Sequence, residues 1–180
     1  QFQRLRGVRQ TGTAYLVYPG CVHTRFEHSL GPAAMAKQII SVLKDNGEQI
    51  TGDQEEIVSL SALVHDISHL PFGHTFEDER KLFPRHDTAE RLQHFLSQDQ
   101  VADALAASGH RDQVLDLLTN RGYATPWMRQ IVSSTVDADL LDYLRRDAYF
   151  SGLQQDYDDR IFSTFTVADG QLAINMSKLS

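Results

Sequence analysis

The segment ALVHDISHLPFGHTF gathers His65, Asp66, His69 and His74 into one short stretch. Imidazole nitrogens and a carboxylate at this density can hold a metal ion and move protons near neutral pH. A His-Asp dipeptide alone carries little information. The chain has a second one, His86-Asp87, and so short a motif recurs by chance. Two further segments supply the missing context. HTRFEHSLG carries Arg25 and His28 at a predicted helix start. VDADLLDYLRRDAYF carries Asp139, Tyr143 and Asp147 at i, i+4 and i+8, one polar stripe on a helix otherwise holding Leu140, Leu141 and Leu144. Asp137, two residues before Asp139, is its rival as a ligand. Two imidazoles and two carboxylates from three helices would form a mixed nitrogen–oxygen site. That donor set suits Mn, Fe, Mg or Zn with open positions rather than a closed structural zinc.

The elements that must position these groups are mostly helical by periodicity. Phe26, Leu30, Ala33, Ala34, Ile40 and Leu43 recur at helical spacing, and Asn46-Gly47 is the expected stop. Asp53 with Glu56 reads as an N-cap and its reciprocal partner. Ile57, Leu60, Val64 and Ile67 then mark a second helix that puts His65 and His69 on one face, with Pro71 and Gly73 ending it. Shorter helices are expected over 86–97, 99–108 and 111–120. Pro126 suits the first turn of a helix running into VDADLLDYLRRDAYF. From Phe162 onward the pattern changes. Phe162, Phe165, Val167, Leu172 and Ile174 flank Asp169-Gly170, which reads as a β-hairpin turn.

Composition narrows the class. The chain has 180 residues and a formal net charge of −7. It fits one helical core over 1–160 with a hairpin appendage over 161–180. Opening without methionine and closing just after the second strand, it is expected to be a piece of a longer protein. One cysteine, Cys21, excludes a disulfide framework and a Cys-rich zinc site, and points to a reducing, cytoplasmic setting. Cys21 itself reads as a small buried hydrophobe. No apolar run approaches the ~20 residues of a membrane span. The acidic balance argues against a general nucleic-acid coat, and no basic face with interleaved aromatics is visible. His23, His94 and His110 read as ordinary core or surface residues.

The pattern H…HD…D, carried by His28, His65-Asp66 and Asp139, resembles the HD-domain metal phosphohydrolases. FQRLRGVRQ, VYPG, HTRFEHSLG, HDISHLPFGH and DADLLDYLRRD resemble one branch, the deoxynucleoside triphosphate triphosphohydrolases. That branch includes bacterial dGTPase-like enzymes and the vertebrate enzyme that joins an HD domain to a SAM domain. The resemblance runs from Phe2 to the final hairpin. It implies an all-α HD-domain helical bundle, with the small C-terminal hairpin beside it. It implies His28, His65, Asp66 and Asp139 as ligands of a divalent metal. It places His69, His74 and His86 beside the scissile phosphate, with His74 as general acid. It assigns Arg25 to phosphate, and Tyr143, Asp147 and Gln10 to the substrate, Asp147 at the sugar 3′-hydroxyl.

The resemblance also implies a nucleotide substrate, room for an allosteric nucleotide, and assembly into a homo-oligomer. Departures stand at Ser68 and Leu70, where the family commonly has glycine and a small residue. Leu140 stands where relatives can carry a phosphate-binding lysine. The family core continues past residue 180 with further substrate contacts. The reaction implied is attack of water on the α-phosphorus, releasing deoxynucleoside and intact triphosphate. The alternatives are another HD phosphohydrolase, such as a nucleotide monophosphatase or a guanosine tetraphosphate hydrolase, or a non-catalytic nucleotide-binding sensor. Gly122-Tyr123-Ala124 lacks the Gly-Tyr-Pro element of cyclic dinucleotide phosphodiesterases.

Overall fold

A computed structural model describes residues 1–119, 122, 125–154 and 156–178. Helices α1 (Arg25–Asp45), α2 (Gly52–Val64), α3 (Ala89–Leu96), α4 (Asp99–Ser108), α5 (Arg111–Thr119), α6 (Pro126–Val132), α7 (Ala138–Ser151) and α8 (Arg160–Thr164) precede strands β1 (Phe165–Ala168) and β2 (Gln171–Ile174). The architecture is an all-α bundle with one antiparallel hairpin. The last residue of the expected 111–120 helix, and Tyr123 and Ala124, lie outside the described residues. No described helix is long and apolar enough to cross a membrane.

Helix α1 is the axis of the bundle and packs on α2 and α7. Its inward face is Ala36, Ile39, Ile40 and Leu43, with His28, Ser29, Gly31 and Pro32 buried one to three turns earlier. Leu30 and Ala34, expected on the apolar stripe, face outward. The stripe is displaced because small and polar residues, not large apolar ones, fill the inward face near the site. A capping box starts the helix, with the Thr24 and Glu27 side chains satisfying one another's backbone N–H groups.

Helix α2 begins one residue pair earlier than Asp53 and Glu56 suggest. Thr51 is the N-cap, accepting from Gln54 N at 3.2 Å, while Gln54 returns the bond to Thr51 N. Both pairs obey the same spacing rule, and the first is the one made among the described residues. The helix also stops earlier, at Val64. His65 to Ser68 form a turn, so Ile67 lies beyond the helix and His65 and His69 do not share a helical face. The turn's carbonyls are capped by distant cations at a helix C-terminus. Arg4 donates to Ile67 O and His69 O, and Arg91 donates to Ser68 O at 2.6 Å.

Two more boundaries differ from the sequence reading. The 86–97 helix starts at Ala89, which leaves His86 ahead of it. Helix α6 does not run into α7. It ends at Val132 with Ser133 extended, and Asp137 restarts the chain as N-cap of α7. The hairpin forms where expected, with Asp169 (φ 50°) and Gly170 (φ 74°) both left-handed at its turn, as a two-residue type I′ connection requires. Phe162, however, belongs to α8. β1 packs on α1 and β2 on α6.

Candidate metal centre

Helix α1, the turn after α2, and the first turn of α7 bring His28, His65, Asp66 and Asp139 together. His28 Nε2 lies 2.9 Å from Asp139 Oδ1 and 3.7 Å from Asp66 Oδ2. His65 Nε2 lies 3.5 Å from both Asp66 Oδ1 and Asp139 Oδ1. Donors about 3–3.5 Å apart are what ligands at roughly 2.1 Å around one ion subtend. Each ring is turned to the site by its other nitrogen. His28 Nδ1 bonds the Asp142 carboxylate at 2.7 Å, and His65 Nδ1 donates to Ala62 O at 2.7 Å. This leaves His28 Nε2 and His65 Nε2 buried without an aligned hydrogen-bond partner among the described residues. Orphaned buried nitrogens facing two carboxylates fit a divalent cation, and anchored outer nitrogens are the usual support for metal-bound imidazoles.

Asp137 and Asp139 take different partners. Asp137 accepts from Leu140 N at 2.7 Å and Ser134 N at 2.6 Å, so both its oxygens serve the start of α7. Asp139 faces the histidines. Burial disfavours charge on Asp66, yet His65 and Arg25 hold its carboxyl well below the usual range. Burial likewise opposes charge on Asp139, and His28 and His65 outweigh it, so that carboxyl too lies below its usual range. Burial also works against protonation of His65, but Asp66 and Asp139 hold its pKa up to about 9. His28 is raised in the same way, with burial opposed by Asp139, Asp142 and Asp66.

Beside this cluster three more imidazoles assemble. His69 is fully buried and stacks on His86 with ring centroids 3.6 Å apart. His74 meets both rings edge-on, at 5.0 Å and 5.5 Å. It is exposed at the rim and pairs with Asp78 at 3.1 Å. Gly73 makes room for this stack, since a Cβ there would lie 2.5 Å from His69 Nδ1. Burial pushes His69 and His86 below the ordinary imidazole pKa, in spite of Asp66 nearby. The stacked pair is therefore neutral at pH 7.

A cavity of about 590 Å³ opens over both clusters, lined among others by Gln10, Arg25, Tyr143 and Asp147. Arg25 is buried and donates to Asp66, not to Glu27 or Glu77. Asp147 pairs with His23 at 2.7 Å rather than with Arg145 or Arg146. Gln10 is set on the wall by its backbone bond to His23 O, with its Oε1 buried and unpaired among the described residues.

Sequence reasoning missed the partners that aim these groups. Asp142 holds His28. His23, stacked on Phe150 at 4.5 Å, holds Asp147. Glu77, buried on the turn Thr75–Glu79, accepts from His86 Nδ1 at 2.8 Å and from Arg91 at 3.0 Å. The one available signal was Asp142's i, i+4 spacing to Arg146.

The comparisons with known proteins agree with this geometry. The HD domain family model matches residues 25–147. The uncharacterized protein YwfO of Bacillus subtilis is 31% identical over 98% of this chain and 41% of its own length. The deoxynucleoside triphosphate triphosphohydrolase SAMHD1 of Gallus gallus is 29% identical over 92% of this chain and 32% of its own. The crystal structure of a phosphohydrolase from Bacteroides thetaiotaomicron superposes with a TM-score of 0.78 at 31% identity, over 96% of this chain and 42% of that one. The chain thus spans less than half the length of these relatives. With the family model covering the helices that carry His28, the His65-Asp66 turn and Asp139, the chain belongs to the HD domain family.

Proposed function

We propose that the chain is a metal-dependent phosphohydrolase acting on deoxynucleoside triphosphates. The observation that carries this is the convergence of two buried imidazole nitrogens, without an aligned hydrogen-bond partner among the described residues, with two ionised carboxylates on the wall of a cavity of about 590 Å³. The likeness to SAMHD1, named as a triphosphohydrolase, supports the finer substrate.

His28, His65, Asp66 and Asp139 would hold the cation. A bound divalent ion supplies charge neutralisation at a phosphoryl oxygen and lowers the pKa of water. Arg25 ties Asp66 in place through its guanidinium and brings positive charge to the same wall. His69 and His86, neutral and stacked, offer ring nitrogens to a phosphate without adding charge repulsion to the cluster. His74, at the rim, is the proposed general acid. Water adds to the α-phosphorus and releases a proton to solvent, the bond to the deoxyribose 5′-oxygen breaks, and that oxygen takes the proton from His74, which regains one from solvent. Tyr143, Asp147 and Gln10 are the proposed sugar-side contacts, with His23 fixing the direction of Asp147. The products are a deoxynucleoside and intact triphosphate.

Product analysis tests this reading. Each deoxynucleoside triphosphate is incubated with the chain and Mn or Mg, beside an Asp139→Asn variant. Asp139 is the safest ligand to change, because removing Asp66 would strand the buried Arg25 charge. Intact triphosphate, formed by the parent chain and reduced at least a hundredfold in the variant, is the expected result. Release of pyrophosphate or single phosphate would replace the triphosphohydrolase with another phosphohydrolase of the family. Binding of nucleotide without turnover would replace it with a sensor.

A further inference from the structure

Gly31 lies in the interior of α1, three residues after His28. Glycine there weakens a helix relative to alanine, because the chain loses more backbone freedom on folding. Its φ is ordinary for a helix, so no turn requires it. The space beside it gives the reason. A Cβ on residue 31 would fall 1.8 Å from Asp142 Oδ1 and 2.1 Å from Asp142 Cγ. The Asp142 carboxylate occupies the volume that any other residue's side chain would take.

That carboxylate is not free to step aside. It is buried, with a relative exposure of 4%. Its Oδ2 bonds His28 Nδ1 at 2.7 Å. Arg146, one turn along α7, grips it with two bonds, Nε to Oδ2 and Nη2 to Oδ1, each 2.7 Å. The planar guanidinium and planar carboxylate fix each other's orientation. The carboxylate plane in turn fixes the imidazole, whose Nε2 points at Asp139 and Asp66.

We propose that Gly31, Asp142 and Arg146 form a positioning unit for the metal ligand His28, with Gly31 absent a side chain so that the Asp142 carboxylate can seat against α1. The inference rests on the metal reading of the His28, His65, Asp66 and Asp139 cluster. None of the three residues is among the groups that would hold the ion. They act by holding the His28 ring in one orientation and its Nδ1 proton in place, which raises the basicity of the nitrogen that binds.

The test is a Co²⁺ titration of the chain, read by the ligand-field absorption of the ion and by calorimetry. Gly31→Ala is expected to weaken Co²⁺ binding about 10- to 100-fold, the usual effect of losing an outer partner, and to alter the absorption spectrum. Asp142→Asn is expected to do the same, and Arg146→Gln to weaken binding up to about tenfold. The double variant Gly31→Ala/Asp142→Ala is the decisive comparison. With the carboxylate gone, the alanine methyl has room, so the glycine substitution adds no further loss. Full additivity would mean that Gly31 acts by some route other than Asp142, and would overturn the unit. Folded Asp142→Asn chain with parental Co²⁺ affinity and spectrum would also overturn it, whether or not Gly31→Ala folds. A parental chain that takes up no Co²⁺ would remove the metal reading itself, and this inference with it.

Discussion

An imidazole nitrogen at the site can carry a proton or bind a cation, and it cannot do both. In the metal-free chain His65 keeps its proton because Asp66 and Asp139 overcome the cost of burial and hold its pKa up to about 9. In the unfolded chain an imidazole titrates near ~6.5. The raised native value means that proton binding stabilises the fold fully below about pH 6.5, and that this stabilisation is lost as pH rises through about 9. His28 is raised in the same direction. His69 and His86, both lowered, change charge on folding only below about 6.5, and Asp66 and Asp139 only in acid, so they are silent in this window. The metal-free chain should therefore show a Tm that falls from pH 6.5 to 9, while the Tm increment given by Mn grows. Scanning calorimetry with chelator or with Mn measures both, and a flat metal-free profile would contradict the charge state of the His65 pair. The ligand candidates themselves are legible in sequence, because few residue types bind metals and their spacing is constrained. Their orienting partners are not. Asp142 is 114 positions from His28 and His23 is 124 from Asp147, and a lone aspartate or histidine says nothing until packing sets it beside a ring.

At the scale of elements, the apolar periodicity locates most helices, while their ends are decided by interactions that periodicity does not carry. Thr51 with Gln54 and Asp53 with Glu56 are both acceptable capping pairs, two residues apart. Only the first is made. Thr51→Ala should cost about 1 kcal/mol, and Asp53→Ala should stay within about 0.5 kcal/mol as an exposed change. Urea unfolding of the two variants separates them, and equal losses would move the cap. The break between α6 and α7 was hidden for a similar reason. Nothing in SSTVD forbids a helix, but Asp137 gives both oxygens to backbone N–H groups and restarts the chain there. The turn Thr75–Glu79 is the least predictable piece, because its anchor is tertiary. Glu77 links His86 and Arg91 to it from a buried position. Glu77→Ala takes the acceptor from His86 Nδ1 and N–H and leaves Arg91 bonded to carbonyls alone, with no carboxylate beside its charge, and should destabilise the chain by about 3–5 kcal/mol, the cost of breaking a buried pair from one side. It should also release His86 from its stack on His69, read as a loss of turnover larger than that of Thr51→Ala.

At the scale of the whole molecule, composition and pattern suggest a helical core with a hairpin attached near residue 160, and the packing bears on how firmly it is attached. Phe165, the first residue of β1, is buried within the same apolar cluster as Ile39, Leu43 and Ile131. Asn46, at the end of α1, donates to Phe165 O at 2.9 Å. On the other strand Gln130 of α6 accepts from Leu172 N and donates to Gln171, and Trp127 N donates to Gly170 O at 3.2 Å. A hairpin of two short strands is marginal alone, so these contacts supply most of what holds it. Phe165→Ala should remove about 3–5 kcal/mol. The chain has a single tryptophan, Trp127, buried where α6 meets the hairpin turn. Its fluorescence reports on the hairpin, while far-UV circular dichroism reports on the helices. If hairpin and bundle are one cooperative unit, the two signals should unfold at the same urea concentration in the parent chain, and shift together in Phe165→Ala. Fluorescence changing first would mean that the hairpin detaches from an intact bundle, and the boundary near residue 160 would then be a physical one. The buried Phe165 ring, shared with the residues of α1 that continue toward His28, argues for coincidence.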